Sequence, residues 1–571
     1  MSTKIELLKQ CTTKPDFARL LGLDPVFLTR IVYRKDTENL YSNFTILKKD
    51  MSERHISSPD SKLKEIQRKV ADLLLNCIED IRVLTESKNL LSHGFEKQRS
   101  IITNAERHKR KKWVLNIDLS NFFDQFNYGR VRGYFIKNTH FALDENIANM
   151  IAKIACYQNK LPQGSPCSPV ITNLILSSID QRLNKICKNS GCSYSRYADD
   201  ITISTNKKTF PSEIVKSYDA EHVELNKNFT KEIMRAGFSL NDKKTRLQGR
   251  TQRQEVTGLT VNYNLSTDVN YSKKVRAMVH HLFMDGNYTL IDKKTRKPRN
   301  GTINEVEGML GFIDSIDKYN NKLAYRAKGG LNKREKLYAN FIYYRSFHCN
   351  EKVTILTEGK TDVTYLKVAL HMLKGKYPTL ISSKTVSHKT VNDYKLSFFK
   401  NNNKSNYFLG LGEGSSHFKN FVKKYQGKIS EFKAVGGRKP VIIISDNDSG
   451  ANELISLLNG KGFPHITSDK NELRKNKWLW ITENLYIILT PFDGKTDTSI
   501  EDLFDTKTLS RSLNGKTFNR TNKECALNEF GKEYFAKHVI LKDRDLIDFN
   551  MFSYIFDAIL EIIKEHDSKV S

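Results

Sequence analysis

The feature that most constrains this chain is a pair of adjacent acids, Asp199-Asp200, set in YSRYADDITIST (194–205). Strand-forming residues on both sides of a two-residue tip predict a β-hairpin with both carboxylates at its turn. Neighbouring acids in a tight turn repel each other unless cations lie close by. Upstream, VLNI (114–117) reads as a strand that ends in Asp118 and can bring a third carboxylate to the same place. Hard oxygen donors of this kind suit magnesium. A bare Asp-Asp pair more often caps a surface turn, so the surrounding sequence has to decide between the two readings.

The pattern resets near residue 350. VTILT (353–357) runs into Glu358-Gly359 and then an amphipathic helix carrying Val363, Leu366, Ala369, Leu370 and Leu373. VIIIS (441–445) runs into Asp446-Asn447-Asp448 and a helix with Leu454, Leu457 and Leu458; LYIILT (485–490) ends at Pro491. Near-continuous apolar strands alternating with helices predict a parallel sheet covered on both faces. Sites in such sheets gather beyond the carboxyl ends of the strands, where Glu358, Asp446 and Asp448 would meet. These acids could instead cap helices, a role Asp commonly takes. Between about 270 and 348 lies a basic, helix-rich zone; Asn300-Gly301, just after Pro298, reads there as a loop. GLGEGSSHF (410–418) is a weak candidate for a phosphate-facing loop.

Charge narrows the partners. Lys and Arg number 93 against 64 Asp and Glu, a formal net charge of +29. So basic a chain favours polyanions, nucleic acid first, through neutralised phosphates and released counterions. With 39% hydrophobic and 27% charged residues the composition fits a globular protein. No apolar run is long enough to span a bilayer, so no membrane partner is expected. The eight cysteines form no C-x-x-C pair and read as reduced thiols in a cytoplasm.

Three segments then occur in a familiar order. Tyr197-Ala198-Asp199-Asp200 resembles the aromatic-x-Asp-Asp box of reverse transcriptases. NIDLSNFF (116–123) resembles their first catalytic strand, and LPQGSPCSP (161–169) their template- and nucleotide-contacting segment. The resemblance implies a right-hand polymerase of α+β class with fingers, palm and thumb, using dNTPs and two Mg2+ ions. Two ions about 3.5–4 Å apart would activate a 3′-hydroxyl and stabilise the leaving pyrophosphate. It further implies that Asp118 and Asp199 bridge both ions with Asp200 in support, and that Phe123 is a steric gate against a 2′-hydroxyl, although one of Phe122 and Phe123 should be core. Gln163 and Gly164 would lie against the nucleotide, and Arg99 and Lys244 near its phosphates.

NAERH (104–108) and VTG (256–258) match hallmarks of retron reverse transcriptases, with RHISSP (54–59) and LKEIQR (63–68) in support. That resemblance covers about residues 1–345 and implies a bacterial cytoplasmic enzyme bound to a cognate structured noncoding RNA. Such an enzyme primes from a guanosine 2′-hydroxyl and makes branched msDNA. Asn104, His108, Val256, Thr257 and Gly258 would then serve RNA binding. Expected boundaries are fingers and palm over 1–265, a helical RNA-binding thumb over 266–348, and a third domain over 349–571. A group II intron-like reverse transcriptase is the nearest rival.

TEGKTD (357–362) with SDNDSG (445–450) resembles the Toprim domain, a Rossmann-like α/β sheet. The likeness implies Glu358 as general acid/base and Asp446 and Asp448 as ligands of one or two Mg2+ ions, with Glu501 of SIEDL (499–503) as a further ligand. It implies a magnesium-dependent nuclease effector in anti-phage defence, restrained by the RNA–DNA product. The alternative is a domain that only binds nucleic acid or mediates assembly. The nucleic-acid target and any homo-oligomer stay open.

Overall fold

The computed structural model describes residues 2–570 apart from 34–39, 49–51, 87–90, 220–221, 293, 322–329, 387–388, 401, 412–415, 461, 464, 467–468, 493–496 and 521–524. Most of the glycine-rich core of 410–418 lies outside the described residues. Two compact units emerge. One comprises Met1–Ser272, Asp292–Lys297 and Ser315–Ala324; the other comprises Lys273–Ile291, Pro298–Asp314 and Tyr325–Ser571. The stretch 266–348 is shared between them. It holds the helices Val269–Asp285, Ile303–Asn320 and Lys333–Tyr343.

The first unit is built around a four-stranded antiparallel sheet. Its strands are β1 (Trp113–Asp118), β2 (Ser193–Tyr197), β3 (Asp200–Thr205) and β4 (Arg246–Gly249), in the order β2-β3-β1-β4. Alternation does the sorting. Leu115 and Ile117 of β1 and Ile201 and Ile203 of β3 are at most 1% exposed, and each such side chain contributes about 1.5–3 kcal/mol by leaving water. Three helices matter for the site: α1 (Ser61–Leu84), α2 (Ile101–Glu106) and α3 (Cys167–Asn189). Asp60 caps α1 by accepting from Leu63 N at 2.7 Å. Its buried Leu63, Ile66, Val70, Leu73, Leu74 and Cys77 recur at helical spacing. Helix α3 buries residues on nearly every turn, including the polar Asn173 and Asp180.

The second unit contains a five-stranded mixed sheet. Strands β5 (Val353–Thr357), β6 (Leu396–Phe398), β7 (Val441–Ser445), β8 (Trp478–Thr482) and β9 (Leu485–Leu489) take the order β6-β5-β7-β9-β8. The first four in that order are parallel, and β8 joins the edge antiparallel to β9. Every residue of β5, β7 and β9 is buried, as their unbroken apolar runs required. Helices α4 (Lys360–Met372) and α5 (Asn452–Leu458) follow β5 and β7. The sequence reading of a wholly parallel sheet is corrected by β8. Its WLWIT run pairs back after a tight turn at Glu483, which has φ +48°. The expected loop at Asn300-Gly301 is also corrected in part. Pro298–Asn300 is a short strand paired with Thr289–Ile291, and Pro tolerates such an edge position.

Candidate active site

The palm acids converge because register forces them to. Tyr197 pairs with Asp200 across the β2–β3 hairpin, and Asp118 pairs with Asp200 across β1–β3. Leu119 N donates to Asp199 O at 3.1 Å, tying the strand end to the turn. Asp118 is 7% exposed. Its Oδ2 accepts from Asn241 Nδ2 at 3.1 Å, and Lys244 Nζ stands 3.1 and 3.2 Å from its two oxygens. Burial, and then the charge of Asp118, hold the Asp199 carboxyl above its ordinary range. Asp200 is open to solvent on one side. The protein atoms crowding its carboxyl, and then Asp199 and Asp118, push it up to about 7. Such a set of strained carboxylates has the donor chemistry for divalent cations. Lys244 supplies the positive charge at Asp118.

Phe122 is the core member of its pair, 4% exposed and packed edge-on to Phe126. Phe123 is half-buried, with its ring 5.2 Å from that of Phe122. Gln163 and Gly164 lie against the strand Glu53–Pro59, where Ser57 N donates to Gln163 O at 2.9 Å. Gly164 has φ +130°, and a Cβ there would come within 2.6 Å of Ser57 O. Arg99 is half-buried and donates through Nη1 to Ser92 O at 2.6 Å.

The segments NAERH (104–108) and VTG (256–258) meet beside this sheet. His108 is fully buried between Ser204 Oγ and Ser195 Oγ, each at 2.7 Å, and Ser195 Oγ donates to Asn104 Oδ1 at 2.6 Å. Asn104 and His108 thus bind α2 to β2 and β3, with their side chains turned inward. Val256 is buried in a short hairpin. Thr257, at φ +47°, donates from Oγ1 to Ile101 O at 3.3 Å. Gly258 is exposed at the tip, with φ +83°.

A second acidic group lies at the carboxyl ends of β5 and β7. Glu358 Oε1 accepts from Ser445 Oγ at 2.5 Å and from Asp446 N at 3.1 Å. Asp446 Oδ1 accepts from Ile500 N at 2.8 Å. Burial leads both shifts. With Asp448 and Asp362 nearby, Glu358 is pushed up to about 7; with Glu358, Asp362 and Glu501 nearby, Asp446 rises to about 8. Asp448 instead caps the turn that follows, accepting from Ala451 N at 3.2 Å. Glu501 is 0% exposed and stands 3.0 Å from Lys532 Nζ. Sequence reasoning assigned no role to Lys532, Asp362 or Asn241. Asp362 was visible in TEGKTD, four residues after Glu358; Lys532 lies 31 positions from its partner in a segment without a motif. Among the described residues, no three His, Cys, Asp or Glu side chains already stand as a metal cage. The acids rest instead against the protein's own donors and ammonium groups.

An acidic apex on an antiparallel palm sheet is what a nucleotidyl-transferring polymerase needs. A family model described as reverse transcriptase (RNA-dependent DNA polymerase) matches residues 46–262. The first unit therefore defines an RNA-directed DNA polymerase. The chain is 31% identical over 327 residues to the retron Ec86 reverse transcriptase of Escherichia coli, covering 57% of this chain and 89% of that protein. It is 32% identical over 323 residues to the retron Mx162 reverse transcriptase of Myxococcus xanthus, covering 52% and 63% respectively. It is 28% identical over 305 residues to the retron Se72 reverse transcriptase of Salmonella heidelberg, covering 52% and 75%. The chain belongs to the retron reverse transcriptase family.

Proposed function

We propose that this enzyme copies a cognate structured noncoding RNA into branched msDNA, starting from a guanosine 2′-hydroxyl. The observation that carries the reading is the direct pairing of Asp118 with Asp200, beside Asp199, within a family that synthesises DNA on RNA. Asp118 and Asp199 would hold two Mg2+ ions, with Asp200 in support. Mg2+, when bound, supplies Lewis-acid activation of the attacking hydroxyl and neutralises phosphate charge. Lys244, whose side chain is 54% exposed, would release Asp118 and turn to phosphate. Phe123 would press against the sugar and exclude a 2′-hydroxyl. Gln163 and Gly164 would present backbone to the nucleotide, and Arg99 would grip its phosphates. Fingers and palm would occupy 1–265, and the basic helices of 266–348 would grip RNA by shape and phosphate.

For 349–571 we propose a Toprim-like, magnesium-dependent nuclease, restrained by the RNA–DNA product and released in anti-phage defence. Support comes from Glu358 and Asp446 at adjacent parallel strand ends, both with carboxyls raised toward neutrality. A general acid/base needs such tuning. Asp448 and Glu501 would complete the ligand set. The competing reading, a domain that binds nucleic acid without cutting it, is favoured by the Glu501–Lys532 pair, which leaves that carboxylate already neutralised.

Co-expression with the DNA flanking the gene, followed by isolation of protein-bound nucleic acid, tests the first reading. Short DNA joined to RNA should appear with the wild type and not with Asp199→Ala/Asp200→Ala. RNA alone in both samples would leave a binding scaffold. Cleavage by wild type against Asp446→Ala in Mg2+ tests the second.

A further inference from the structure

The turn that presents Asp199 is strained and is held from behind. Ala198 has φ +56°, a left-handed conformation that alanine keeps only where its surroundings impose it. Arg196, two residues earlier and 1% exposed, reaches under that turn. Its Nη1 donates to Ala198 O at 2.9 Å and to Asn173 Oδ1 at 3.2 Å. Its Nε and Nη2 each donate to Asp180 at 2.8 Å, and Asp180 also accepts from Tyr194 OH at 2.8 Å. Asp180 and Asn173 share helix α3, seven positions apart.

A second element closes on the same turn. Arg196 N donates to Leu91 O at 2.8 Å, and His93 N donates to Arg196 O at 2.7 Å. Asn173 Nδ2 holds Gly94 O at 2.7 Å. Gly94 lies so near the turn that a Cβ on it would sit 2.6 Å from Ala198 N. Ala198 is therefore held on both sides: Arg196 bonds its carbonyl, and Gly94 packs against the Tyr197–Ala198 peptide.

A buried ion pair is a poor way to gain stability, because desolvating both charges offsets their attraction. Here the guanidinium does something an apolar side chain could not. It is a planar donor set that ties α3 to the carbonyl just before a catalytic acid. We propose that Arg196, paired with Asp180, and Gly94 are positioning residues for DNA synthesis: they lock the left-handed turn at Ala198 and so set where the Asp199 and Asp200 carboxylates stand. They act through backbone and touch no substrate. Misplacing a reacting group by about 1 Å lowers rate by about 100-fold, so even a small relaxation of the turn is visible in turnover.

The test uses full-length protein on oligo(dT)-primed poly(rA) with dTTP and Mg2+. Arg196→Lys keeps the buried positive charge but cannot serve Asp180 and Ala198 together. Turnover should fall at least about tenfold, the dTTP KM should stay within about threefold, and the Mg2+ giving half-maximal rate should rise several-fold. Gly94→Ala, which leaves the ion pair intact, should do the same. Ala198→Gly removes the strain, and in the Arg196→Lys background it should recover much of the lost turnover. If Arg196→Lys does not fold, Arg196→Met with Asp180→Asn takes its place; it leaves no buried charge and keeps an acceptor for Tyr194. Folded variants with wild-type turnover and Mg2+ requirement would overturn the proposal. So would a loss confined to KM, or one that Ala198→Gly leaves untouched.

Discussion

Asp118 stands directly opposite Asp200 in antiparallel register, and Lys244 Nζ lies 3.1 Å from the Asp118 carboxylate. The palm thus holds its acids close together and sets a partly exposed ammonium group against one of them. Asp118→Asn and Asp199→Asn should each cut DNA synthesis by more than about 100-fold, the scale seen when an electrostatic partner in a transition state is lost. Because like charges are relieved, Asp199→Asn should not lower the melting temperature of the metal-free protein, whereas Asp118→Asn also gives up the Lys244 ion pair. Primer extension and thermal denaturation together check this. A variant retaining a tenth of wild-type turnover would remove that acid from the catalytic set.

Stability should depend on pH in a definite direction. The raised groups are Asp200 at about 7, Glu358 at about 7 and Asp446 at about 8. In the unfolded chain they titrate near about 4. Between those values the folded state binds more protons, so their contribution is full below about pH 4 and is lost as pH rises toward 8. The coupled acids titrate as groups rather than singly. Asp446→Asn should therefore stabilise metal-free protein at pH 8 and leave it little changed at pH 4. Millimolar Mg2+ should raise the wild-type melting temperature more at pH 8 than at pH 5.5. Melting curves across pH, with and without Mg2+, decide the matter.

Lys532 and Glu501 should behave as a buried pair. Glu501 is 0% exposed and the Lys532 side chain 24%. Lys532→Met leaves the carboxylate unpaired and should destabilise the protein by about 3–5 kcal/mol, whereas adding Glu501→Leu should recover most of that. Chemical denaturation of the single and double variants measures it. An unchanged midpoint for Lys532→Met would mean Glu501 is neutral when folded.

His108 should act on stability before it acts on RNA. Both ring nitrogens are bonded to serines of the hairpin strands, and burial holds its pKa well below the ordinary value. His108→Ala opens a cavity and strands the Ser204 hydroxyl, while Ser195 keeps its bond to Asn104; this should destabilise by about 2–4 kcal/mol. The loss should appear in protein stripped of nucleic acid. If only RNA affinity changes, the side chain must turn outward on binding.

The two phenylalanines should separate cleanly. Phe122→Ala should destabilise by about 3–5 kcal/mol with discrimination between dNTP and NTP intact. Phe123→Val should barely alter the melting temperature and should relax that discrimination at least about tenfold. Incorporation of dTTP against UTP reads it out. Equal discrimination in Phe123→Val and wild type would exclude Phe123 as the gate.

Much of this was legible in the chain because the signals are local. Alternation around Asp199-Asp200 predicts the hairpin, and unbroken apolar runs predict β5, β7 and β9. Each depends only on neighbours in sequence and on which face must leave water. Strand β8 was less legible, since WLWIT has a short, partly exposed pattern that fits an edge strand and a loop equally well. Asn104 and His108 were legible as a motif, but not as an inward-facing latch, because a motif records which residues recur and not which way they point.

The sequence determined the element types, the basic character and the identity of the acids, all properties set by residue chemistry and by periods of two or a few residues. Tertiary structure alone decided which acids face one another, that Lys244 sits on Asp118, that Lys532 neutralises Glu501, and that Arg196 reaches Ala198 while Gly94 closes from the other side. Apart from the short reach of Arg196 to Ala198, these relations join positions tens to more than a hundred residues apart. They are fixed by strand register and helix packing, which follow from the burial of the whole core and from no single segment.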